Sequence, residues 1–285
     1  MAQPKVFIII LNYNARSTLK GCLASIFQLE YENFEVVLVD NNSTDGSLEA
    51  AKTFFPRAHI IKNGANLGFA AGSNVGIRYA LEKMADYIFL INPDAIVEKD
   101  TLRILVKEAE QSANAGIFSP LIIKEDHYSV WFAGGKIKWL TMKTVHIFEP
   151  LSNKPYETQY ISGCTMFVKK EIFRQIGLLD ERFFLYYEDA DFCLRARKEG
   201  FKIMVIPQVQ VYHYEKSEGN LENKIYWLVI SGIIFFKKNA PVILKPWISF
   251  YTALRRIKNQ LDVKFRKNNL AEVVQRAYGD YKNVS

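Results

Sequence analysis

The sequence predicts an α/β fold: a Rossmann-like, mostly parallel sheet with helices on both faces, followed by a C-terminal helical extension. Three observations predict it. Apolar strand-like runs alternate with helix-like stretches as far as residue 112, the rhythm of βαβ units. Four successive strand-like runs end in Asn, Asp and Gly, as expected where a parallel sheet presents one polar edge. The chain has 285 residues, 49% hydrophobic and 24% charged, enough for one large domain with an appendage.

The elements follow in order. Val6 to Leu11 is a continuous apolar run, read as a buried first strand rather than a signal peptide: it is short, and polar Asn12 and Asn14 follow it. Further strands are expected at 34–39, 58–61 and 87–91, and helices at 16–29, 46–55, 70–83 and 99–112. The strand ends are Asn12-Tyr13-Asn14, Asp40-Asn41-Asn42-Ser43-Thr44-Asp45-Gly46, Asn63-Gly64-Ala65-Asn66-Leu67-Gly68 and Asn92-Pro93-Asp94. Turn and cap chemistry accounts for such residues in any single loop, but less readily for four in succession. From about 115 to 168 shorter strands and turns replace this rhythm. Gly163 to Val168 then reads as a further core strand, with a short helix near 170–176. A helix opens at the acidic cluster and runs to about 199, where Gly200 is a plausible stop. Lys202 to Tyr212 is strand-like. Beyond it the chain reads as helical, interrupted near Pro241 and Pro246.

Charge divides the chain at about residue 215. Residues 1–215 carry 24 Lys and Arg against 25 Asp and Glu, whereas residues 216–285 carry 13 against 5. The formal excess of +7 therefore lies in the last quarter and points to a local anionic partner: phospholipid, a lipid-linked phosphate or nucleic acid. Trp247, Phe250, Tyr251, Leu254, Ile257 and Leu261 share one helical face near Arg255, Arg256 and Lys258. Such a helix lies on a membrane surface or packs its apolar stripe on the main domain. The apolar run 225–236 is shorter than the ~20 residues needed to span a bilayer, so no transmembrane helix is expected. Cys22, Cys164 and Cys193 lack the spacing of a disulfide framework or a zinc site and fit a reducing cytoplasm.

Two segments carry candidate chemistry. Glu188, Asp189 and Asp191 stand among aromatic residues at the mouth of a helix, where partial desolvation raises a carboxylate toward the working range of a general base. Acids at a helix start also offset its dipole, and Asp191 is spaced to pair with Arg195. Asp94, in an oxygen-rich turn after an apolar strand, is placed to hold Mg²⁺ or Mn²⁺, for which one or two protein ligands suffice beside substrate phosphates and water. An Asn-Pro-Asp turn needs no metal on its own.

Asp40-Asn41-Asn42-Ser43-Thr44-Asp45-Gly46-Ser47, Asn66-Leu67-Gly68-Phe69-Ala70-Ala71-Gly72-Ser73-Asn74, Asn92-Pro93-Asp94 and Tyr187-Glu188-Asp189-Ala190-Asp191 resemble, in order and spacing, the motifs of family 2 inverting glycosyltransferases of GT-A fold. The likeness is to the rhamnosyltransferase-like branch and runs from about residue 5 to 215. It implies a catalytic domain over 1–215 and an extension over 216–285. It further implies a nucleotide-sugar donor of the pyrimidine class, with dTDP-L-rhamnose a candidate, and a glycan or lipid-linked acceptor at the cytoplasmic membrane face. By this resemblance Asn12, Tyr13, Asp40, Asn42, Asn66, Gly68, Asn74 and Asn92 bind the donor. Gly68 and Gly72 allow its close approach, Asp94 and His213 hold the metal, Asp189 is the base and Glu188 its helper. The chain departs from the family after Tyr226-Trp227, where Ile230-Ser231 stands in place of Arg-Asn. The alternatives are a nucleotidyltransferase and a non-catalytic membrane- or nucleic-acid-binding module. The first lacks a Gly- and Arg-rich triphosphate loop, and the second rests on the basic tail alone.

Overall fold

β-Branched and aromatic residues in Val6–Asn12 suit a strand buried on both faces, and this segment forms the central strand β1. The computed structural model describes residues 3–215, 221–266 and 269–284. After β1 come α1 (Arg16–Ile26), β2 (Phe34–Asp40), α2 (Ser47–Phe54), β3 (His59–Lys62), α3 (Gly68–Glu82), β4 (Tyr87–Ile91), β5 (Ala95–Val97) and α4 (Thr101–Gln111). The middle of the chain supplies β6 (Ala115–Lys124), β7 (Val130–Phe132), β8 (Gly135–Lys138), β9 (Lys143–His146), β10 (Tyr156–Glu157), β11 (Thr165–Lys169), α5 (Lys170–Ile176), α6 (Glu188–Lys198) and β12 (Lys202–His213). Three long helices close it: α7 (Leu221–Asn239), α8 (Lys245–Arg266) and α9 (Asn269–Val284).

The expected strands and helices therefore stand within a few residues of their expected places. Leu19, Cys22, Leu23 and Ile26 of α1 and Leu102, Leu105, Val106 and Ala109 of α4 are buried at the i, i+3, i+4, i+7 spacing of a helix with one apolar face. Pro241 follows the end of α7. Pro246, the second residue of α8, interrupts nothing, because a proline in the first turn removes no intrahelical hydrogen bond.

The main sheet runs β10-β12-β6-β11-β4-β1-β2-β3, with β5 on β12 and β7 on β6; β8 and β9 form a separate hairpin. The four strands β4, β1, β2 and β3 are parallel, as their crossover helices require. β11 breaks the parallel order. It begins beside the end of β4, with Thr165 opposite Ile91, so it enters from the carboxyl edge and runs antiparallel. The sheet is thus parallel over most of its path but mixed, and this reversal brings residues 161–164 back to the polar edge.

The last helices continue the same core. Ile230, Ile234, Phe235 and Phe236 of α7 lie in one apolar cluster with the sheet residues. The expected division at residue 215 adjoins residues 216–220, which lie outside the described residues. α7 also packs on the loop that precedes α6. Trp227 stacks on Phe184 with ring centroids 4.3 Å apart, and the Ser231 hydroxyl donates to Leu185 O at 2.7 Å. Asp191, fully buried, receives Arg195 Nε at 2.9 Å, Lys238 Nζ at 2.6 Å and the Asn239 amide at 2.8 Å. The i,i+4 pairing expected of Asp191 is present, and it joins a wider clamp between α6 and α7.

Removing one partner of a buried ion pair leaves the others uncompensated. Asp191→Ala is therefore expected to lower unfolding stability by about 3 kcal/mol in a urea titration. A loss under about 0.5 kcal/mol, the size usual for an exposed substitution, would show that the clamp contributes little.

Candidate active site

Strand register assembles the polar edge. Asn12 and Asp40 are abreast in β1 and β2, and the Asn12 amide donates to Asp40 Oδ1 at 2.8 Å, with Ser43 and Ser47 hydroxyls within 3.0 Å. The other Asp40 oxygen accepts from Ser43 N–H at 3.1 Å. Both Asn12 and Asp40 are fully buried. Asn12 Oδ1 has no hydrogen-bond partner among the described residues, and each Asp40 oxygen keeps acceptor capacity. Tyr13 stands half-exposed at the rim, and Asn42 is exposed with a positive φ of 64° that turns the chain out of β2.

Asn41, between Asp40 and Asn42, is the hub of a second network that the sequence does not single out. Its side chain donates to Asn66 Oδ1 at 3.2 Å and Gly68 O at 3.0 Å and accepts from Asn63 at 2.8 Å. Asn66 Oδ1 also accepts Gly68 N–H at 3.0 Å, which sets the entry into α3. Two expectations need correction here. Asn74 is fully buried and its amide is spent: both N–H donors go to Leu179 O and Glu181, and its oxygen accepts Leu179 N–H. It fastens α3 to the loop before α6 and has no donor left for a ligand. The close approach that Gly68 and Gly72 permit is likewise to protein. Gly68 has φ +79°, and a Cβ there would run into the carbonyl oxygen of Phe184; one on Gly72 would meet Leu11 at 2.6 Å and the Asn41 amide at 2.8 Å.

Asp94 and His213 are far apart in sequence and adjacent in space. β12 pairs with β5 so that His213 lies opposite Ala95, and Tyr214 N–H donates to Asp94 O at 2.9 Å. His213 Nε2 comes within 3.2 Å of Asp94 Oδ1. The two atoms are close but not aligned as a hydrogen bond, and Oδ1 and both ring nitrogens are buried without a hydrogen-bond partner among the described residues. Trp131 packs edge-on against the imidazole, ring centroids 4.6 Å apart. Burial disfavours a proton on this ring, whereas the Cys164 sulfur and the Asp94 carboxylate favour one and raise its pKa while no cation is bound. Burial also pushes the Cys164 thiol up, so Asp94 is the charge that counts. Orphaned carboxylate oxygen beside orphaned imidazole nitrogen fits a divalent cation of the Mg²⁺ or Mn²⁺ kind. No cluster of three His, Cys, Asp or Glu forms among the described residues, which leaves the remaining coordination positions to substrate oxygens and water. Asn92, half-buried, holds the turn through its backbone: its N–H donates to Cys164 O at 2.9 Å.

Glu188 and Asp189 open α6 behind two residues in left-handed conformation, Tyr186 (φ 69°) and Tyr187 (φ 68°). Such backbone persists in aromatic residues only where surroundings over-determine it. Here Phe69 N–H donates to Phe184 O at 2.6 Å from one side, and α7 holds the loop from the other. Asp189, partly open, accepts Gly163 N–H at 2.9 Å and Ala190 N–H at 2.6 Å. Burial raises its pKa, and these two N–H groups hold the rise back. Glu188 is buried with Oε2 unpartnered; burial first, and the neighbouring Asp189 charge second, push it well above the usual carboxylate range. Both carboxyls are thus raised, Glu188 the further of the two, because it is buried with an unpartnered oxygen beside a like charge whereas Asp189 is held by two N–H groups. Behind Tyr187 lies a cavity of about 100 Å³ bordered by Lys143, Gly232, Thr252, Arg255 and Tyr278.

Comparison with known proteins places this geometry. The pattern of "Glycosyl transferase family 2" matches residues 7–177. The dTDP-rhamnosyl transferase RfbF of Shigella flexneri is 29% identical over 208 residues, covering 73% of this chain and 68% of that protein. The N-acetylglucosaminyl-diphospho-decaprenol L-rhamnosyltransferase of Mycobacterium tuberculosis is 28% identical over 233 residues, covering 73% and 75%. Among solved structures, the mannosyltransferase PcManGT of Pyrobaculum calidifontis, in complex with GDP-Man and Mn²⁺, superposes with a TM-score of 0.63 at 18% identity, covering 100% of this chain and 77% of that one. The fold is the GT-A type.

The proton on Glu188 has a measurable consequence. A carboxyl raised by folding contributes its stability fully below its unfolded value and loses it as pH rises through the folded value. Glu188→Gln keeps the uncharged shape, so its melting temperature should match wild type in acid and exceed it increasingly as pH climbs above Glu188's ordinary value of 4.5. A difference that is constant with pH would mean that Glu188 does not carry this strain.

Proposed function

The chain belongs to glycosyl transferase family 2, and on that premise we propose that it transfers a sugar from a nucleotide-sugar to an acceptor hydroxyl with inversion at the anomeric carbon. The observation that carries the proposal is the pair of adjacent carboxylates in unlike states. Asp189 is partly open and held by two N–H groups, and Glu188 is buried with one oxygen unpartnered and its pKa pushed up.

The mechanism follows from these parts. Asp189 takes the proton of the acceptor hydroxyl as that oxygen bonds to the anomeric carbon, while the bond from that carbon to the nucleotide diphosphate breaks on the opposite face. Glu188, uncharged, places no unpaired like charge beside Asp189, and burial raises Asp189 above the ordinary carboxylate value. Asp94 and His213 would hold Mg²⁺ or Mn²⁺, whose chemistry when bound is to offset the charge gathering on the leaving diphosphate. Asn12, Tyr13, Asp40, Asn42, Asn66 and Asn92 form the rim proposed for the nucleotide. Asn12 Oδ1 is its unpartnered acceptor and the Asp40 oxygens keep further acceptor capacity beside the bonds they already accept, consistent with ring N–H recognition of a pyrimidine base. Gly68 acts indirectly, by seating the rim against the acid loop.

The relatives that act as rhamnosyltransferases support dTDP-L-rhamnose as the donor to try first and a lipid-linked or polysaccharide glycan as acceptor, at the cytoplasmic face of a membrane. We assign catalysis to residues 1–215, with 216–285 as an extension whose helix α7 braces the acid loop.

The direct test incubates the protein with a panel of nucleotide-sugars, acceptor glycans and Mg²⁺ or Mn²⁺ and follows nucleoside diphosphate release. Asp189→Asn should lower turnover by about 10²–10⁴-fold while donor affinity, read by calorimetry, stays within about twofold. Unchanged turnover would remove Asp189 from the chemistry. The wild-type rate should rise with pH through the raised pKa of Asp189, so its acidic limb should lie above the ordinary value of 3.8; a limb at or below that value would contradict the assignment.

A further inference from the structure

The helix α8 has two faces, and among the described residues one is packed while most of the other is exposed. Ile248 is buried, the Thr252 side chain faces Met142, and the Asn259 amide donates to Ala271 O of α9 at 2.9 Å. On another face Trp247, Phe250, Leu254, Ile257, Leu261 and Phe265 recur every three or four residues, between 38% and 71% exposed. Immediately before this stripe, Val242 and Ile243 in the short 3₁₀ turn are 81% and 87% exposed. A row of large apolar side chains this long, left uncovered on a soluble surface, marks a contact face. Among the described residues the stripe packs on the main domain only at its start, where Tyr251 joins the core cluster and Trp247 Nε1 donates to Leu140 O at 2.9 Å; Phe250, Leu254, Ile257 and Leu261 are exposed.

The charge pattern indicates what covers it. α8 carries Lys245, Arg255, Arg256, Lys258, Lys264 and Arg266 against a single acid, Asp262. At 100° per residue, Lys258 and Lys264 project on either side of the stripe. Long basic side chains beside an apolar band place their stems along hydrocarbon and their heads at the level of lipid phosphates. A second copy of α8 would instead set like charges against one another. No helix among the described residues is long and apolar enough to cross a membrane, so the face lies on a surface rather than through it.

We propose that α8, together with Val242 and Ile243, seats the protein on an anionic lipid bilayer, with its helix axis in the plane of the headgroups. Thr252 and Arg255 of the same helix border the cavity behind Tyr187, two residues before Asp189. These two residues lie on the side of α8 turned away from the stripe, so about one helix width separates the bilayer from that cavity. The docking requires no turnover and stands or falls separately from the transferase reading.

Sedimentation of the full chain with phosphatidylcholine vesicles, with and without phosphatidylglycerol, tests this. Binding is expected to the anionic vesicles and to weaken as salt is raised. The double substitution Leu254→Ser with Ile257→Ser should lower partitioning about tenfold or more, as should Lys258→Glu with Lys264→Glu, without changing the urea midpoint or donor affinity. Equal binding by wild type and both variants, or no binding to either vesicle, would overturn the proposal. So would a dimer in sedimentation velocity that the Leu254/Ile257 variant dissolves, since the stripe would then be covered by a second copy.

Discussion

The site depends on one short piece of backbone, residues 183–187, and on what forces it into an unfavourable shape. Two successive tyrosines in left-handed conformation turn the chain so that Glu188 and Asp189 emerge at the start of α6. Non-glycine residues reach that region at a cost of order 1–3 kcal/mol each, which the neighbours must offset. They do so from two sides. The start of α3 presses against Phe184 through the Phe69 N–H and the bare backbone of Gly68, and α7 presses through Trp227, Ser231 and Gly232. Asn74 fixes the strand of loop before it, and Asp191 locks the helix after it to Lys238 and Asn239. The polar rim, the acid pair and the C-terminal helix α7 are therefore one mechanical unit.

Electrostatics then separates residues that look alike in sequence. Three acids stand within four positions, yet each has a different environment. Asp191 is surrounded by two cations and an amide. Glu188 is buried with an oxygen facing no donor. Asp189 alone combines partial exposure with two backbone N–H groups. The same logic operates at Asp94 and His213, where the side chains are brought within 3.2 Å of each other without being satisfied by hydrogen bonds among the described residues.

Much of this was legible in the sequence because it is local. Strands such as Val6–Asn12 and helices such as Thr101–Gln111 announce themselves by periodicity, and the polar edge follows from where parallel strands end. The family motifs marked the segments that matter. What the sequence concealed is long-range. Asn74 lies in a motif that suggests ligand contact, but its partner Glu181 is 107 residues away. Asn41 sits between two residues that were noticed, and only the packing of α3 shows that it is the hub. The antiparallel entry of β11 depends on the path of a hairpin excursion that composition does not encode. The exposed face of α8 had the opposite character: its stripe and its charges were plain in sequence, and only the fold could show that most of it stays exposed among the described residues.

The central claim is that neighbouring carboxyl groups in one helix turn hold a single proton, on Glu188, and leave Asp189 free to act as base. The most direct measurement is a ¹³C NMR titration of the side-chain carboxyl carbons, with Glu188→Gln and Asp189→Asn used for assignment. The account predicts that Asp189 ionises first, above its ordinary value, and that Glu188 remains protonated well beyond it. Ionisation of Glu188 before Asp189, or of both at ordinary carboxylate values, would contradict it.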